Sequence, residues 1–199
     1  MTSSGYGKKF SLIRGGLDAG ASLGGINVIA APREERPFRV DAMVFEEDTW
    51  LVMSAEPRVC QPEIHPVRLM TELIEARPEI PGHILIRQGS PMRFLAIVHD
   101  FNREPTWKEE WISQALMEIF RESEKMNMRT IGIPLLCTRH GNLDSDRFLL
   151  LIMYAIERTS FEFLKRLWLI TDQRVDRELI RDIERKWMLF QGEDAGQKE

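Results

Sequence analysis

The 199-residue sequence has two cysteines, no long apolar run and no excess of basic residues. Cys60 and Cys137 cannot build a disulfide framework, and neither belongs to a CxxC motif, so the sequence predicts a reduced, cytoplasmic setting. The opening residues lack the apolar core of a signal peptide. The longest apolar run, at 148–156, is well short of the roughly 20 residues that span a bilayer. We therefore expect no membrane partner.

Acidic residues outnumber basic ones, with 31 Asp and Glu against 27 Lys and Arg, for a net charge of −4. This balance argues against nucleic acid as a partner, because a phosphate lattice requires a clustered basic face. A small anionic ligand needs only a local positive potential and is not excluded. The length predicts a single domain over 1–199, with an N-terminal extension and first strands at 1–39 and a flexible tail at 191–199.

Local metal-binding and nucleophile motifs are scarce in the sequence. The histidines form no HxH or HxxxH pair, so the sequence predicts no metal site, and it implies no cofactor. Cys137 and His140 lie close together and indicate either an activated thiolate or, more simply, a small buried cysteine. No third member of a catalytic triad is identifiable, and the catalytic residues are unknown from the sequence.

Apolar periodicity alternates between strand-like and helix-like segments. Strand patterns occur at 9–14, 26–30, 83–87, 93–101, 129–136 and 164–171, and helical patterns at 66–77, 145–157 and 174–190. Thr106 and Glu109 form a Thr-x-x-Glu capping box, which predicts a further helix through Phe120. The alternation in the second half predicts parallel pairing with helices on both faces. The expected fold class is α/β, a three-layer α/β/α arrangement with a mixed, mostly parallel sheet.

Two segments of the first half have weaker patterns. Residues 17–25 are rich in glycine and predict a loop. The runs 40–45 and 49–54 predict a hairpin, joined by the acidic residues 46–48. General acid or base chemistry would need one of these carboxylates in an apolar pocket, whereas a solvated turn explains the acidic run more simply.

The segment 137–142 connects a buried strand to a buried helix and is the main candidate site. In open α/β sheets, ligands bind beyond the carboxyl ends of the strands, and the amides at the start of the next helix favour an anion. Thr138 offers a hydroxyl, Arg139 a bidentate partner for a phosphate, and Gly141 room for close approach. The alternative is an ordinary strand-to-helix turn with an exposed arginine. The predicted anion loop consists of Thr138, Arg139, His140, Gly141 and Asn142.

Four segments between residues 40 and 171 occur in an order that one known family shares. "VDAMV" is similar to a Val-Asp-Ala-Ile-Val strand, and "GHILIRQGSPMRFLAIVHDF" to paired strands of which the second ends in a Val-His step. "RTIGIPLL" is similar to a strand that ends in hydrophobic-Pro, with Pro134 in place, and "CTRHGNLD" then falls where a diphosphate loop follows. The chain thus resembles a macro domain, an ADP-ribose-binding module. The resemblance implies ADP-ribose or a related nucleotide as the ligand.

Three positions depart from the pattern of that family. Residues 45–48 replace an Asn-Ala-Ala-Asn segment whose asparagine contacts the distal ribose, and the glycine-rich loop expected next is absent from 54–65. Arg139 replaces a glycine of the phosphate loop, where it either blocks the pocket or supplies a counter-charge. These departures favour a protein that binds an ADP-ribose-class or other small anionic ligand without catalysis.

Further candidates line the same predicted cleft, and two alternative functions stay open. Glu46, His99 and Asp100 are expected near the ends of strands, although neighbours could equally satisfy His99 and Asp100 without a ligand. An ADP-ribosyl hydrolase would use His99 or Asp100 to assist water. A degenerate scaffold would bind no ligand and serve protein contacts. The sequence also leaves homo-oligomerisation open.

Overall fold

A computed structural model describes residues 20–53 and 77–171, together with Arg185. The described part of the chain contains seven strands and two longer helices. In chain order these are β1 (Gly20–Leu23), β2 (Ile26–Pro32), β3 (Ala42–Asp48), β4 (Ile84–Arg87), β5 (Met92–His99), α1 (Glu109–Lys125), β6 (Thr130–Pro134), α2 (Ser145–Glu157) and β7 (Arg166–Thr171). None of the helices in these ranges is both long and apolar enough to cross a lipid bilayer.

The strands form one mixed sheet in the order β1-β2-β7-β6-β3-β5-β4. The five inner strands pair in parallel, and the outer strands β1 and β4 pair antiparallel with their neighbours. The chain continues from β3 to β5 on one side and from β6 to β7 on the other. Strand order therefore reverses between β3 and β6, and the carboxyl ends of such a strand pair border the usual ligand crevice of an open α/β sheet.

The two helices pack against each other and cover one face of the sheet. Each presents an apolar stripe with a spacing of three to four residues, as the sequence predicts. The buried stripe residues are Ile112, Leu116, Ile119 and Phe120 in α1 and Phe148, Leu149, Ile152 and Ile156 in α2. A smaller cluster around Trp168 and Ile170 lies on the opposite face. The sheet thus separates two apolar layers, and the main core lies beneath the helices.

The α/β class and the mixed, mostly parallel sheet are confirmed. Strands were expected at β2, β4, β5, β6 and β7, and all five are present. The helix predicted over 145–157 is α2, which has the same bounds. The predicted strand at 9–14, the tail at 191–199, and the predicted helices at 66–77 and 174–190, apart from residue 77 and Arg185, lie outside the described residues.

The predicted hairpin across the acidic run 46–48 is wrong. Strand β3 continues through these residues and pairs in parallel with β5 and β6, so no hairpin forms. Glu47 and Asp48 are fully buried instead of solvated. The Asp48 carboxylate accepts hydrogen bonds from the backbone amides of the next turn, at Trp50, Val52 and Met53. The acidic run therefore forms the end of a buried strand. The amides that follow it donate to the Asp48 carboxylate, so they are not available to pair with a second strand of a hairpin.

Two smaller predictions are also wrong. The loop expected over 17–25 contains β1 at 20–23, which pairs with β2 through a short turn at Gly24 and Gly25. The capping box at Thr106 does not form, because α1 begins at Glu109 and its N-cap is Lys108 with no side-chain hydrogen bond. Glu109 pairs with Arg147 of α2 instead of reaching back to Thr106.

Candidate functional site

Three polar side chains from three segments meet at the carboxyl ends of the inner strands. Glu46 comes from β3, His99 ends β5, and Cys137 follows β6. Glu46 Oε1 lies 2.5 Å from His99 Nε2, and Cys137 Sγ lies 3.6 Å from the same nitrogen. His99 and Cys137 are fully buried. The parallel pairing of β3 with β5 and β6 brings these residues together, although they are far apart in sequence.

Cys137 is the residue on which the candidate loop is anchored. Its amide donates to Glu46 Oε2 at 2.9 Å, and its carbonyl accepts from the amides of Gly141 and Leu143 at 3.0 and 2.9 Å. Its φ of 60° lies in the left-handed region, which turns the chain sharply out of the sheet. The loop between β6 and α2 is therefore held by hydrogen bonds to the Cys137 carbonyl, and the Glu46 carboxylate connects it to β3.

The geometry does not support the thiolate suggested for Cys137 and His140. The imidazole beside the thiol belongs to His99, whereas His140 is exposed at the cavity. Burial, and secondly the negative charge of Glu46, raise the pKa of the Cys137 thiol well above its ordinary value. The thiol is therefore protonated at neutral pH, and it is not an activated nucleophile.

A cavity of about 600 Å³ opens beside this cluster, at the carboxyl end of the central strand β6. Its described lining combines apolar side chains with both signs of charge. The lining residues are Arg33, Glu34, Phe45, Glu46, Met53, Pro134, Leu135, Thr138, Arg139, His140, Ile170 and Thr171. The volume lies within the roughly 300–1,000 Å³ that small-molecule sites occupy. This cavity lies where the strand order reverses, so it has both the size and the position of a ligand site.

The predicted anion loop lines the cavity in part. Thr138, Arg139 and His140 face the cavity, whereas Gly141 and Asn142 are not among its lining residues. The Thr138 hydroxyl donates to the Leu135 carbonyl at 2.7 Å, so its proton is already used within the turn. The amides of Arg139 and His140 donate to no group in the described ranges. Among the loop residues that line the cavity, these two therefore have the backbone donors that remain available to an anion.

Gly141 makes room for a tryptophan of this chain. The Trp107 indole N–H donates to the Gly141 carbonyl at 2.5 Å. A Cβ on Gly141 would lie 2.6 Å from the indole ring and 2.8 Å from the Cys137 carbonyl. The lack of a side chain at Gly141 is thus required for the packing of Trp107 inside the protein. Sequence analysis missed this role of Trp107, because the two residues come from different loops.

The cleft-lining candidates separate into two groups. Glu46 lines the cavity, but His99 and Asp100 do not. Asp100 accepts from the Asn102 amide and pairs with Arg103 Nε at 2.8 Å, so its carboxylate holds its own turn. His99 contacts Glu46 and Cys137, and its Nδ1 has no hydrogen-bond partner among the described residues. Arg33, which sequence analysis missed, reaches the cavity from the end of β2.

No protein-family model matches this sequence, and no curated protein matches it. Solved structures do match its fold. A mutant Oceanobacillus iheyensis macrodomain with ADPR has 12% identity and a TM-score of 0.60, with 87% of this chain and 98% of that chain covered. The same macrodomain with ADP has 11% identity and a TM-score of 0.60, with 88% and 96% covered. The macrodomain of Thermus aquaticus DarG has 16% identity and a TM-score of 0.50, with 72% and 97% covered. The chain therefore has a macrodomain-like fold, and the resemblance seen in the sequence is confirmed at the level of the fold.

Proposed function

We propose that the cavity at the end of β6 binds a small anionic ligand of the ADP-ribose class. The observation that carries this proposal is the pair of unused amides at Arg139 and His140, in a cavity of about 600 Å³ at the point where strand order reverses. Backbone amides at such a point favour a phosphate-like group. The similar Oceanobacillus iheyensis structures are described with ADPR and with ADP, which supports the same ligand class here.

The charges around the cavity suit a ligand of low negative charge, such as one with a diphosphate, better than a strongly charged one. Arg33 and Arg139 contribute two guanidinium groups, and neither belongs to the ion pairs of the described part of the chain. Glu34 and Glu46 oppose them, but Glu46 is engaged by His99 and by the Cys137 amide. Arg139 thus acts as a counter-charge at the cavity rim, where a guanidinium can pair bidentately with a phosphate.

The described residues support ligand binding, and none of them is assigned a catalytic role. A general base must reach the bound substrate directly or through one water. His99 and Asp100 do not line the cavity, and both are engaged by protein partners. ADP-ribosyl hydrolysis therefore gains no support from these two residues. Release of ADP-ribose from a modified protein, lost in both His99→Gln and Asp100→Asn, would overturn this assignment.

Composition supports the wider setting of this function. The two cysteines and the free thiol of Cys137 favour a reduced, cytoplasmic environment. The net charge of −4 argues against a nucleic-acid partner. A degenerate scaffold that serves only protein contacts is the alternative, and it predicts that the cavity binds no nucleotide.

Isothermal titration calorimetry with ADP-ribose, ADP and inorganic phosphate tests the proposal. Arg139→Glu should weaken ADP-ribose binding at least tenfold, which corresponds to about 1.4 kcal/mol. Arg87→Glu is the matched control, because Arg87 is exposed on the edge strand β4, away from the cavity, and should bind like the unmodified chain. Absence of heat at millimolar ADP-ribose, with a folded chain confirmed by circular dichroism, would refute nucleotide binding and favour the scaffold.

A further inference from the structure

We propose that Glu46, His99 and Cys137 form a site for a divalent transition-metal ion, most simply Zn²⁺. One ligand atom from each residue lies within 4.8 Å of the other two. The proposal does not rest on nucleotide binding, because it follows from the arrangement of these three side chains alone.

The three side chains converge on one point and do not form a relay. In a catalytic triad, the nucleophile and the carboxylate contact opposite nitrogens of the histidine ring. Here Cys137 Sγ and Glu46 Oε1 both face His99 Nε2. Convergence of a sulfur, a nitrogen and an oxygen atom on one region is the pattern of a coordination site.

The distances agree with this interpretation for two of the three ligands. Zn–S and Zn–N bonds at a tetrahedral angle separate the sulfur and nitrogen atoms by about 3.6 Å. The distance from Cys137 Sγ to His99 Nε2 is 3.6 Å. The 2.5 Å between Glu46 Oε1 and His99 Nε2 is a hydrogen-bond distance, whereas oxygen and nitrogen ligands of one ion lie about 3.3 Å apart. Glu46 would therefore move by roughly an ångström on metal binding, and it borders open space because it lines the cavity.

The chemistry of the donor set favours zinc over harder cations. Imidazole and thiolate suit zinc and its neighbours, whereas magnesium and calcium require oxygen ligands. Because a carboxylate only accepts, His99 Nε2 donates to Glu46 in the metal-free chain, and metal binding requires the ring proton to move to Nδ1, which has no partner among the described residues. On binding, the Cys137 thiol proton leaves to solvent and the His99 ring proton shifts from Nε2 to Nδ1, so that Nε2 can ligate; the thiolate and the Glu46 carboxylate together neutralise the two charges of the ion. No oxidation or reduction is involved.

Three protein ligands leave a fourth tetrahedral position, and only one of the three residues borders the cavity. Glu46 lines the cavity, whereas His99 and Cys137 are fully buried behind it. The open position therefore lies on the Glu46 side. A water or an anionic group of a bound ligand could take that position, which is how zinc sites with three protein ligands are completed.

Cobalt substitution in the full chain tests the site directly. After treatment with a chelator, the protein is titrated with Co²⁺ under reducing conditions, and a thiolate-to-cobalt charge-transfer band is expected at one equivalent. Competition with a zinc-sensitive dye then measures the Zn²⁺ affinity. Cys137→Ser should remove the band and weaken Zn²⁺ binding by more than about 100-fold, because even outer-shell partners contribute 10–100-fold. Cys60→Ser, which removes the other cysteine of the sequence, is the matched control and should retain both signals.

Each outcome decides for or against the site. His99→Gln and Glu46→Gln should each weaken Zn²⁺ binding while circular dichroism shows a folded chain. If Cys137→Ser does not fold, the Co²⁺ spectrum of Cys60→Ser still decides, since the charge-transfer band requires a thiolate and Cys137 is then the one cysteine left in the sequence. No band at excess Co²⁺, or a band that survives Cys137→Ser, would overturn the proposal.

The metal site and the proposed ligand site can fail separately. ADP-ribose titrations of the chelator-treated chain measure ligand binding without the ion, and Co²⁺ spectra without nucleotide measure the ion alone. ADP-ribose binding with no Co²⁺ band would refute only the metal site. A Co²⁺ band with no ADP-ribose binding would refute only the proposed function.

Discussion

At the amino ends of the inner strands, carboxylates are saturated by backbone amides, whereas at the carboxyl ends Glu46 faces an imidazole and a thiol. Asp41 accepts from the amides of Arg129 and Thr130 and from the Thr130 hydroxyl. Glu124, at the end of α1, accepts from the three successive amides that lead toward β7. Both amino-end carboxylates connect chain segments that are far apart in sequence.

At the opposite end, one oxygen of Glu46 accepts from the Cys137 amide, and the other is hydrogen-bonded to His99 Nε2. The neighbouring Nδ1 has no partner among the described residues, and the cavity lies alongside. A fold that needed only stability at this end would satisfy every buried polar atom, because each unpaired one costs free energy. The comparison teaches that Glu46 differs from Asp41 and Glu124: those two carboxylates hold backbone segments together, whereas Glu46 also faces an imidazole at the cavity.

The largest effect is expected at the amino end. Asp41→Ala should lower the free energy of unfolding by about 3 kcal/mol, because it removes several charge-assisted hydrogen bonds and leaves the buried Thr130 amide unsatisfied. Denaturant unfolding measures the loss, and Asp41→Asn, which keeps an acceptor, should lose less. ADP-ribose and Zn²⁺ binding should be unchanged in the folded variant. If Asp41→Ala lowered the free energy of unfolding by less than about 1 kcal/mol, the amino-end carboxylates would not be the more important ones for stability.

Gly141→Ala tests whether the carboxyl-end loop is built for packing as well as for a ligand. The new Cβ would lie 2.6 Å from the Trp107 ring, so we expect a loss of about 2 kcal/mol in the free energy of unfolding from overpacking. Thermal unfolding without nucleotide measures this loss, and Trp107 fluorescence should shift. Unchanged stability with weaker ADP-ribose binding would instead support the interpretation of Gly141 as a point of ligand approach.

Strand and helix positions in the second half could be predicted because their signals are local. The helix at 145–157 has both an apolar pattern and a cap, the Asp144 side chain that accepts from the Arg147 amide. The strand ending at Pro134 is a continuous apolar run. Such signals depend on residues within one or two turns, so neither one needs knowledge of strand order.

The cluster of Glu46, His99 and Cys137 could not be predicted in the same way. Its members are separated by 53 and 38 positions, and they meet only because β3 lies between β5 and β6. Nothing in the sequence separates Glu46 from its acidic neighbours 47 and 48, so the local pattern predicts a turn there. The spacing of the histidines along the chain likewise gives no indication of this cluster, because its members come from three segments.

Glu124, one of the two amino-end carboxylates, is expected to make the stability of the chain depend on pH. Burial acts to raise the pKa of Glu124, but hydrogen bonds from three backbone amides and the charge of Lys165 outweigh it, so the pKa lies below its ordinary value of 4.5. Its stabilising contribution is therefore present above about pH 4.5 and is lost as pH falls through the lower native pKa. Glu124→Gln should lower the free energy of unfolding by about 1 kcal/mol at neutral pH and should flatten the acid limb of the stability profile. An unchanged acid limb would contradict this assignment.

The smallest effect is expected for the ion pair that joins the starts of α1 and α2 at the carboxyl end. Arg147 holds the Glu109 carboxylate with two hydrogen bonds of 2.7 Å, which lower the pKa of Glu109, but both side chains are at least 40% exposed. Exposed pairs contribute little because solvent and salt screen them, so Arg147→Lys should cost only about 0.5 kcal/mol at low ionic strength and less at high salt. A double-mutant cycle with Glu109→Gln measures the coupling between the two groups. A coupling above about 1.5 kcal/mol would mean that the carboxyl end also depends on its charges for stability, and the division between the two ends of the sheet would then fail.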